Sequence, residues 1–170
     1  MIKIQFYLSN LKGGGAQRTV VNILRHIDRD KFKPKLILFD YDENMAYSDI
    51  IPEDIEIINL NTRGRYSVLK ISKLIKNEDP DIVFGTLPQV NIALTLGKII
   101  SRNECKMILR ETNYRKKGFN SSYFSGIKRK FTYSMSDKVV ALSKGVANQI
   151  IEECKLGKSK VTIIYNPVDI

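Results

Sequence analysis

The chain has 170 residues, of which 43% are hydrophobic, and its formal net charge is +10 at pH 7. This length suits one globular domain with a substantial core, and no apolar run reaches the roughly 18 residues that a membrane-spanning helix needs. Two cysteines without a metal-binding spacing and a single histidine, His26, argue against a His-rich metal site and a Ser-His-Asp triad. The start, Met1–Leu8, becomes polar too soon for a signal peptide, and the low cysteine content is typical of a reduced, cytosolic setting.

Seven short segments predict β-strands, and most of them are continuous runs of Ile, Val and Leu. Such runs are typical of strands that are buried on both faces of a parallel sheet. In chain order the predicted strands are Lys3–Leu8, Lys35–Phe39, Ile55–Leu60, Asp81–Thr86, Lys106–Arg110, Lys138–Leu142 and Val161–Tyr165.

Four segments between these strands carry apolar residues at spacings of three and four, which predicts amphipathic helices. Their apolar stripes are Val20/Ile23/Leu24/Ile27, Val68/Ile71/Leu74/Ile75, Ile92/Leu96/Ile99/Ile100 and Val146/Ile150/Ile151/Cys154. The acidic segment Tyr41–Asp54 is predicted to be a loop with at most one short helix. Alternating strands and helices predict a doubly wound α/β domain over residues 1–165, with a Rossmann-like, mainly parallel sheet of seven strands.

A glycine-rich loop, Gly13-Gly14-Gly15, follows the first strand and precedes a helix that contains Arg18. Glycine lets the backbone approach a ligand closely, and the free N–H groups of a helix N-terminus attract anions, so the loop is predicted to bind a phosphate. It lacks the Gly-Lys-Ser/Thr of a P-loop, and the dinucleotide pattern G-x-G-x-x-G fails at Arg18. Asp40, at the end of the second strand, keeps a nicotinamide-dependent oxidoreductase half open as an alternative, and a tight turn without a ligand is another.

Four segments in chain order carry a family resemblance: Gly14-Gly15-Ala16-Gln17-Arg18, Asp79-Pro80-Asp81-Ile82-Val83, Val140-Ala141-Leu142-Ser143-Lys144 and Asn166-Pro167-Val168-Asp169. Together they resemble the N-terminal, acceptor-side half of family-4 glycosyltransferases of GT-B architecture. The resemblance implies that residues 166–170 begin a linker to a C-terminal donor-binding domain that is absent from this chain. It also implies retaining transfer of a sugar from a nucleotide-sugar donor to a hydroxyl acceptor, expected to be a lipid-linked or cell-envelope glycan of polysaccharide biosynthesis.

The same resemblance implies that the enzyme uses no metal or other cofactor, because basic residues and helix dipoles stabilise the leaving diphosphate. The nucleotide-sugar is then a co-substrate that is held mainly by the second domain, so the chain alone is expected to be inactive. Many relatives carry a histidine in an acceptor-side loop, whereas Thr86–Gln89 and Arg110–Asn113 contain none. The identity of an acceptor base is therefore open, and Glu111 is the candidate.

Polar residues that follow the later strands are predicted to bind the acceptor, because ligands of such sheets lie at the carboxyl ends of the strands. Glu111 would accept hydrogen bonds from sugar hydroxyls or act as a base, and Arg110 would bind a phosphate. Alternatively, Arg110 and Glu111 pair with each other to hold their loop, and Gln89 and Asn91 cap the following helix. The full predicted set is Gln89, Asn91, Arg110, Glu111, Asn113 and Ser143.

A basic stretch that also contains aromatic residues lies between Thr112 and Ser136. Its six cations are Arg115, Lys116, Lys117, Lys128, Arg129 and Lys130, and it contains no acid. This composition is typical of a peripheral face on an anionic membrane, here the inner face of the cytoplasmic membrane. No RNA-recognition signature accompanies it, so a nucleic-acid partner is not expected. The alternatives are a solvated charged face over an aromatic core, and a non-enzymatic membrane- or polymer-binding Rossmann module.

Overall fold

All seven predicted strands form and join into one parallel sheet with the order β3-β2-β1-β4-β5-β6-β7. The computed structural model describes residues 1–62, 66–112 and 123–166. Its strands are β1 (Ile2–Leu8), β2 (Phe32–Leu38), β3 (Glu56–Asn59), β4 (Ile82–Thr86), β5 (Lys106–Glu111), β6 (Lys138–Ala141) and β7 (Val161–Ile163). The predicted doubly wound architecture is confirmed.

The strand order reverses between β1 and β4, which are hydrogen-bonded neighbours at the centre of the sheet. The chain runs outward from β1 to β3, returns through a helix to β4 and then runs outward in the other direction. Loops that follow β1 and β4 therefore diverge and leave a crevice between them at the carboxyl edge of the sheet.

Helices cover both faces of the sheet. They are α1 (Gly15–His26), α2 (Ser67–Glu78), α3 (Pro88–Ser101), α4 (Tyr123–Met135) and α5 (Lys144–Cys154). Successive side chains of β1 point to opposite faces, so Phe6 packs in the same core as Val20 of α1, whereas Tyr7 packs in the core that Ile71 of α2 joins. The segment Tyr41–Asp54 is irregular apart from the 3₁₀ turn Ser48–Ile50, as predicted.

The predicted buried stripe of α3 is wrong. Leu96, Ile99 and Ile100 are 37%, 41% and 52% exposed, and the buried apolar face is formed by Val90, Ala93, Leu94 and Gly97. The cause is the close packing of α2 on α3, since a Cβ at Gly97 would lie 2.5 Å from Cγ2 of Ile71. Small residues mark the true contact face of this helix, because larger ones would separate the two helix axes.

Candidate functional site

The glycine loop lies at the strand-order reversal and adopts a conformation that requires glycine at two of its three positions. Gly13 and Gly14 have φ angles of 122° and 119°, which L-residues rarely adopt. Gly14 is the N-cap of α1, no side chain caps the helix, and its first turn contains no acidic residue. The free N–H groups and the positive end of the helix dipole therefore face the crevice. Arg18 lies in the next turn and is exposed.

Arg110, near the end of β5, extends a buried guanidinium across β4 toward this loop. It is 3% exposed, and Thr86 of β4 is its register partner. Its Nη1 donates to Oγ1 of Thr86 at 3.2 Å, and its Nη2 donates to Oγ1 of Thr19 in α1 at 3.3 Å and to Oδ1 of Asn166 at 2.5 Å. These acceptors are all neutral, and Arg110 forms no ion pair within the described part of the chain. Burial lowers the pKa of its guanidinium.

Glu111 points to the opposite face of the sheet, because side chains alternate along a strand. Its Oε2 accepts from the Tyr133 hydroxyl at 2.9 Å and from Nε of Arg129 at 3.3 Å, while its Oε1 accepts from the Thr112 N–H at 3.0 Å. The alternative of an Arg110–Glu111 pair is therefore wrong, and among the described residues Glu111 forms an ion pair with Arg129 of α4. At 1% exposure the carboxylate joins β5 to α4 and is not open to a sugar hydroxyl in this structure.

Arg129 does not belong to the membrane face to which the sequence analysis assigns it. It is 7% exposed, its Nη1 bonds the Glu153 carboxylate of α5, and its guanidinium lies 6.0 Å from the Tyr133 ring. A side chain that is held this way cannot reach a membrane surface. Burial, together with the nearby Glu111 carboxylate, raises the pKa of Tyr133, so its hydroxyl stays protonated and donates. Arg129 Nη2 and Asn91 Oδ1 are buried without a hydrogen-bond partner among the described residues.

The predicted acceptor residues after β4 and β6 have structural roles or lie apart from the buried network. Asn91 is 1% exposed, and its Nδ2 donates to the Arg110 carbonyl at 3.1 Å and to the Tyr133 hydroxyl at 3.4 Å, so the capping interpretation is wrong for it. Ser143 is the N-cap of α5, and its Oγ accepts from the Val146 N–H at 3.2 Å. Gln89 is exposed in the first turn of α3, and no side chain caps that helix.

The exposed side of α4 combines apolar and basic residues. Ile127, Phe131 and Met135 are 49%, 45% and 45% exposed and follow one another at a spacing of four, which places them on one stripe. Lys128 and Lys130 are exposed beside this stripe. Arg115, Lys116 and Lys117 of the predicted membrane face, and Asn113 of the predicted acceptor site, lie outside the described residues.

An open cavity of about 540 Å³ lies beside the glycine loop at the end of β2. Within it, Lys12 Nζ lies 3.6 Å from Oδ2 of Asp40, so this acid forms an ion pair. Oδ1 of Asp42 accepts from the backbone and side-chain nitrogens of Asn44 at 2.8 and 3.0 Å. Carboxylates and amides on the wall of a cavity are groups that bind sugar hydroxyls. The lining residues are Lys12, Asp40, Tyr41, Asp42, Asn44, Met45 and Ala46.

Sequence reasoning missed Thr19, Thr86, Tyr133 and Glu153, which complete the two arginine networks. One local signal was available, because Arg129 and Tyr133 stand four residues apart and so share a helix face. The described residues contain no group of three or more His, Cys, Asp and Glu side chains that could hold a metal ion. Within the same residues, no helix combines the length and the apolar character that crossing a membrane requires.

Comparison with known proteins gives one family. Residues 13–170 match Glycosyltransferase Family 4. The chain is 23% identical over 185 aligned positions to N-acetylgalactosamine-N,N'-diacetylbacillosaminyl-diphospho-undecaprenol 4-alpha-N-acetylgalactosaminyltransferase of Campylobacter jejuni subsp. jejuni serotype O:2, and this alignment covers 100% of the chain and 49% of that protein. The chain thus spans about half the length of the curated relative that it matches.

Solved structures share the fold at low identity. The apo form of the lipopolysaccharide outer core galactosyltransferase WaaB aligns with a TM-score of 0.73 at 17% identity, over 99% of this chain and 47% of that one. HepE of Anabaena in complex with UDP-glucose gives 0.73 at 16%, over 99% and 45%. The UDP-GlcNAc 2-epimerase of Methanocaldococcus jannaschii gives 0.70 at 15%, over 97% and 46%. Because transferases and an epimerase share this fold, the fold alone does not select the chemistry.

Proposed function

Because the chain belongs to Glycosyltransferase Family 4, we propose that it forms the acceptor-binding side of an enzyme that transfers a sugar from a nucleotide-sugar to a hydroxyl group. The donor is bound mainly by a second domain, and residues 166–170 begin the linker to it. The lengths of the relatives support this arrangement, since the chain aligns with 49% and 47% of two of them. The reaction is proposed to retain anomeric configuration and to use no cofactor.

The observation that carries the proposal is the glycine loop at the strand-order reversal. Gly13 and Gly14 have no side chain where α1 begins, and no side chain caps the helix that starts at Gly15. This surface fits the donor diphosphate, and the exposed Arg18 adds positive charge nearby. The leaving diphosphate would be stabilised there as its charge develops.

The acceptor is proposed to be a glycan on a lipid diphosphate at the inner face of the cytoplasmic membrane. The name of the Campylobacter relative supports this class, because its substrate carries a diphospho-undecaprenol. The exposed stripe Ile127/Phe131/Met135, with Lys128 and Lys130 beside it, supports attachment to an anionic bilayer. Apolar side chains would enter the head-group boundary while the lysines contact the lipid phosphates.

Transfer of a labelled sugar to lipid-linked acceptor tests the enzymatic proposal. The complete protein should give product with one nucleotide-sugar of a panel, and this chain alone should give none, because the donor is held mainly elsewhere. Product formation by the chain alone at the rate of the complete protein would contradict the proposal that a second domain binds the donor. Failure of the complete protein with every donor would favour a non-enzymatic membrane-binding module.

Co-sedimentation with vesicles tests the membrane face. The double variant Lys128→Gln/Lys130→Gln should bind anionic vesicles more weakly by about 2 kcal/mol at low salt, which is roughly 30-fold, since each basic residue near such a surface contributes about 1 kcal/mol. The control Lys73→Gln/Lys76→Gln removes equal charge from exposed positions of α2 and should bind as the parent does. Equal losses in both variants would assign the effect to net charge rather than to α4.

A further inference from the structure

Among the described residues, the buried guanidinium of Arg110 has no counter-charge. Its three hydrogen-bond acceptors there are two hydroxyls and one amide oxygen. Arg129, on the other face of the sheet, shows the usual solution, because two carboxylates surround it. Buried charges are normally paired, since transfer of an ion out of water costs free energy that neutral acceptors recover only in part.

The surroundings of Arg110 favour an anion as the missing partner. The guanidinium reaches Thr19, whose Oγ1 donates to the Gly15 carbonyl at 2.8 Å, so a single hydroxyl separates the cation from the first turn of α1. That turn has no acidic residue and no side-chain cap. A buried cation and an uncapped helix N-terminus thus add their positive potentials at one place.

Asn166 is the exposed member of the three acceptors, whereas Thr19 and Thr86 are 9% and 0% exposed. Its Oδ1 lies 2.5 Å from Nη2 of Arg110, where an anionic oxygen would lie in a charge-assisted hydrogen bond. Removing the Asn166 side chain would open the guanidinium to solvent. The Thr19 hydroxyl would lose only a long contact to Asn166 Oδ1 of 3.5 Å, and it would keep its bond to the Gly15 carbonyl.

We infer that Arg110 is the centre of a diphosphate-binding site and that Asn166 occupies this site when it is empty. Binding of a diphosphate displaces the Asn166 side chain from Arg110, so that occupancy of the site and the position of Asn166 are coupled. Whether the diphosphate belongs to a nucleotide-sugar or to a lipid-linked acceptor rests on the proposed function, whereas the anion site does not.

Titration with inorganic pyrophosphate at low salt, followed by calorimetry and by melting temperature, tests the site in the 170-residue chain. The parent should bind, and Asn166→Ala should bind at least threefold more tightly because the competitor is gone. Asn166→Asp should melt at a higher temperature and lose binding at least tenfold, because it supplies a permanent anion. Arg25→Gln removes an exposed arginine from the last turn of α1 and should bind as the parent does.

Arg110→Met should lose binding at least tenfold and still fold, because it leaves no carboxylate without a partner. Undiminished binding in Arg110→Met or in Asn166→Asp would overturn the inference, as would absence of binding in both the parent and Asn166→Ala. Uridine diphosphate and farnesyl diphosphate, used as competitors, separate the nucleotide source from the lipid source. Competition by neither, with the variant pattern intact, would uphold the anion site and count against the proposed function.

Discussion

Alanine substitutions in the glycine loop separate what the fold requires from what a ligand requires. At Gly14 the φ of 119° strains any L-residue, and an added Cβ would lie 2.8 Å from Oε1 of Gln17. At Gly15 no positive φ occurs, and an added Cβ would meet no atom of the described residues within 4 Å. The two substitutions therefore add the same methyl group, but at a strained backbone position in Gly14→Ala and at an unstrained position in Gly15→Ala.

The magnitudes follow from the backbone. A non-glycine residue in a sparsely populated conformation costs on the order of 1–3 kcal/mol, while the Gln17 side chain can rotate away at little additional cost. With about 2 kcal/mol lost, the melting temperature of Gly14→Ala should fall by about 4–8 °C for a chain of this size. Gly15→Ala should gain about 0.5 kcal/mol because alanine reduces the freedom of the unfolded chain and favours the helix.

Differential scanning calorimetry of the two variants and the parent measures these shifts. Equal melting temperatures for Gly14→Ala and Gly15→Ala would refute the assigned backbone conformation. In the complete enzyme, Gly15→Ala carries the functional information, since its fold is intact. Loss of donor use by Gly15→Ala without loss of stability would support close approach of a phosphate to the backbone of the loop. Full activity would indicate that the loop is a turn without a role in ligand binding.

Two further predictions concern stability. Tyr133→Phe removes the hydroxyl that donates a hydrogen bond to Glu111. Because hydrogen bonds to charged groups contribute about 1.5–3 kcal/mol, thermal melting should show a loss of about 2 kcal/mol in the free energy of unfolding. The control Tyr165→Phe, at a 62% exposed position, should show no loss. Gly97→Ala should lower the melting temperature despite the helix preference of alanine, because its Cβ would overlap Ile71. The control Gly126→Ala in α4, where a Cβ meets no described atom, should raise the melting temperature slightly. A stabilised Gly97→Ala variant would contradict the close packing of α2 on α3.

The sheet could be predicted because the amino-acid composition of a strand indicates whether both of its faces are buried. A continuous run of Ile, Val and Leu is typical of a strand that is buried on both faces, as β4 is, whereas the edge strands β3 and β7 are partly exposed. Strands that alternate with helices leave few topologies. The ends of strands were less certain. β2 begins at Phe32 and passes through Pro34, and β7 ends at Ile163, because pairing with a neighbour rather than local composition determines where a strand stops.

The orientation of α3 could not be predicted from spacing. This helix is apolar on several sides, so two stripes satisfy the same periodicity, and the exposed stripe contains the larger side chains. Only the partner helix distinguishes them, through the close approach of Ile71 to Gly97. Small residues spaced by four, Ala93 and Gly97, were the informative signal.

The burial of charged residues at the site could not be predicted from the sequence either. Lys128, Arg129 and Lys130 are adjacent in a basic run, yet the middle one is buried and the other two are exposed. What buries Arg129 is a pair of carboxylates, Glu111 and Glu153, that stand 18 and 24 positions away in the chain. A sequence gives the number of charges in a segment, but compensation between charges is a property of the fold.

The two buried arginines therefore have different explanations. Arg129 joins β5, α4 and α5 through two carboxylates, so its charge is accounted for by the fold itself. Within the part of the chain that the structure describes, Arg110 bonds only neutral oxygens, and an apolar side chain of similar volume would avoid the cost of burying its charge. Packing thus explains the length of the Arg110 side chain but not its charge. Because the charge lies one hydroxyl away from the first turn of α1 and against the first residue of the predicted linker, an anionic ligand at the strand-order reversal accounts for what packing does not.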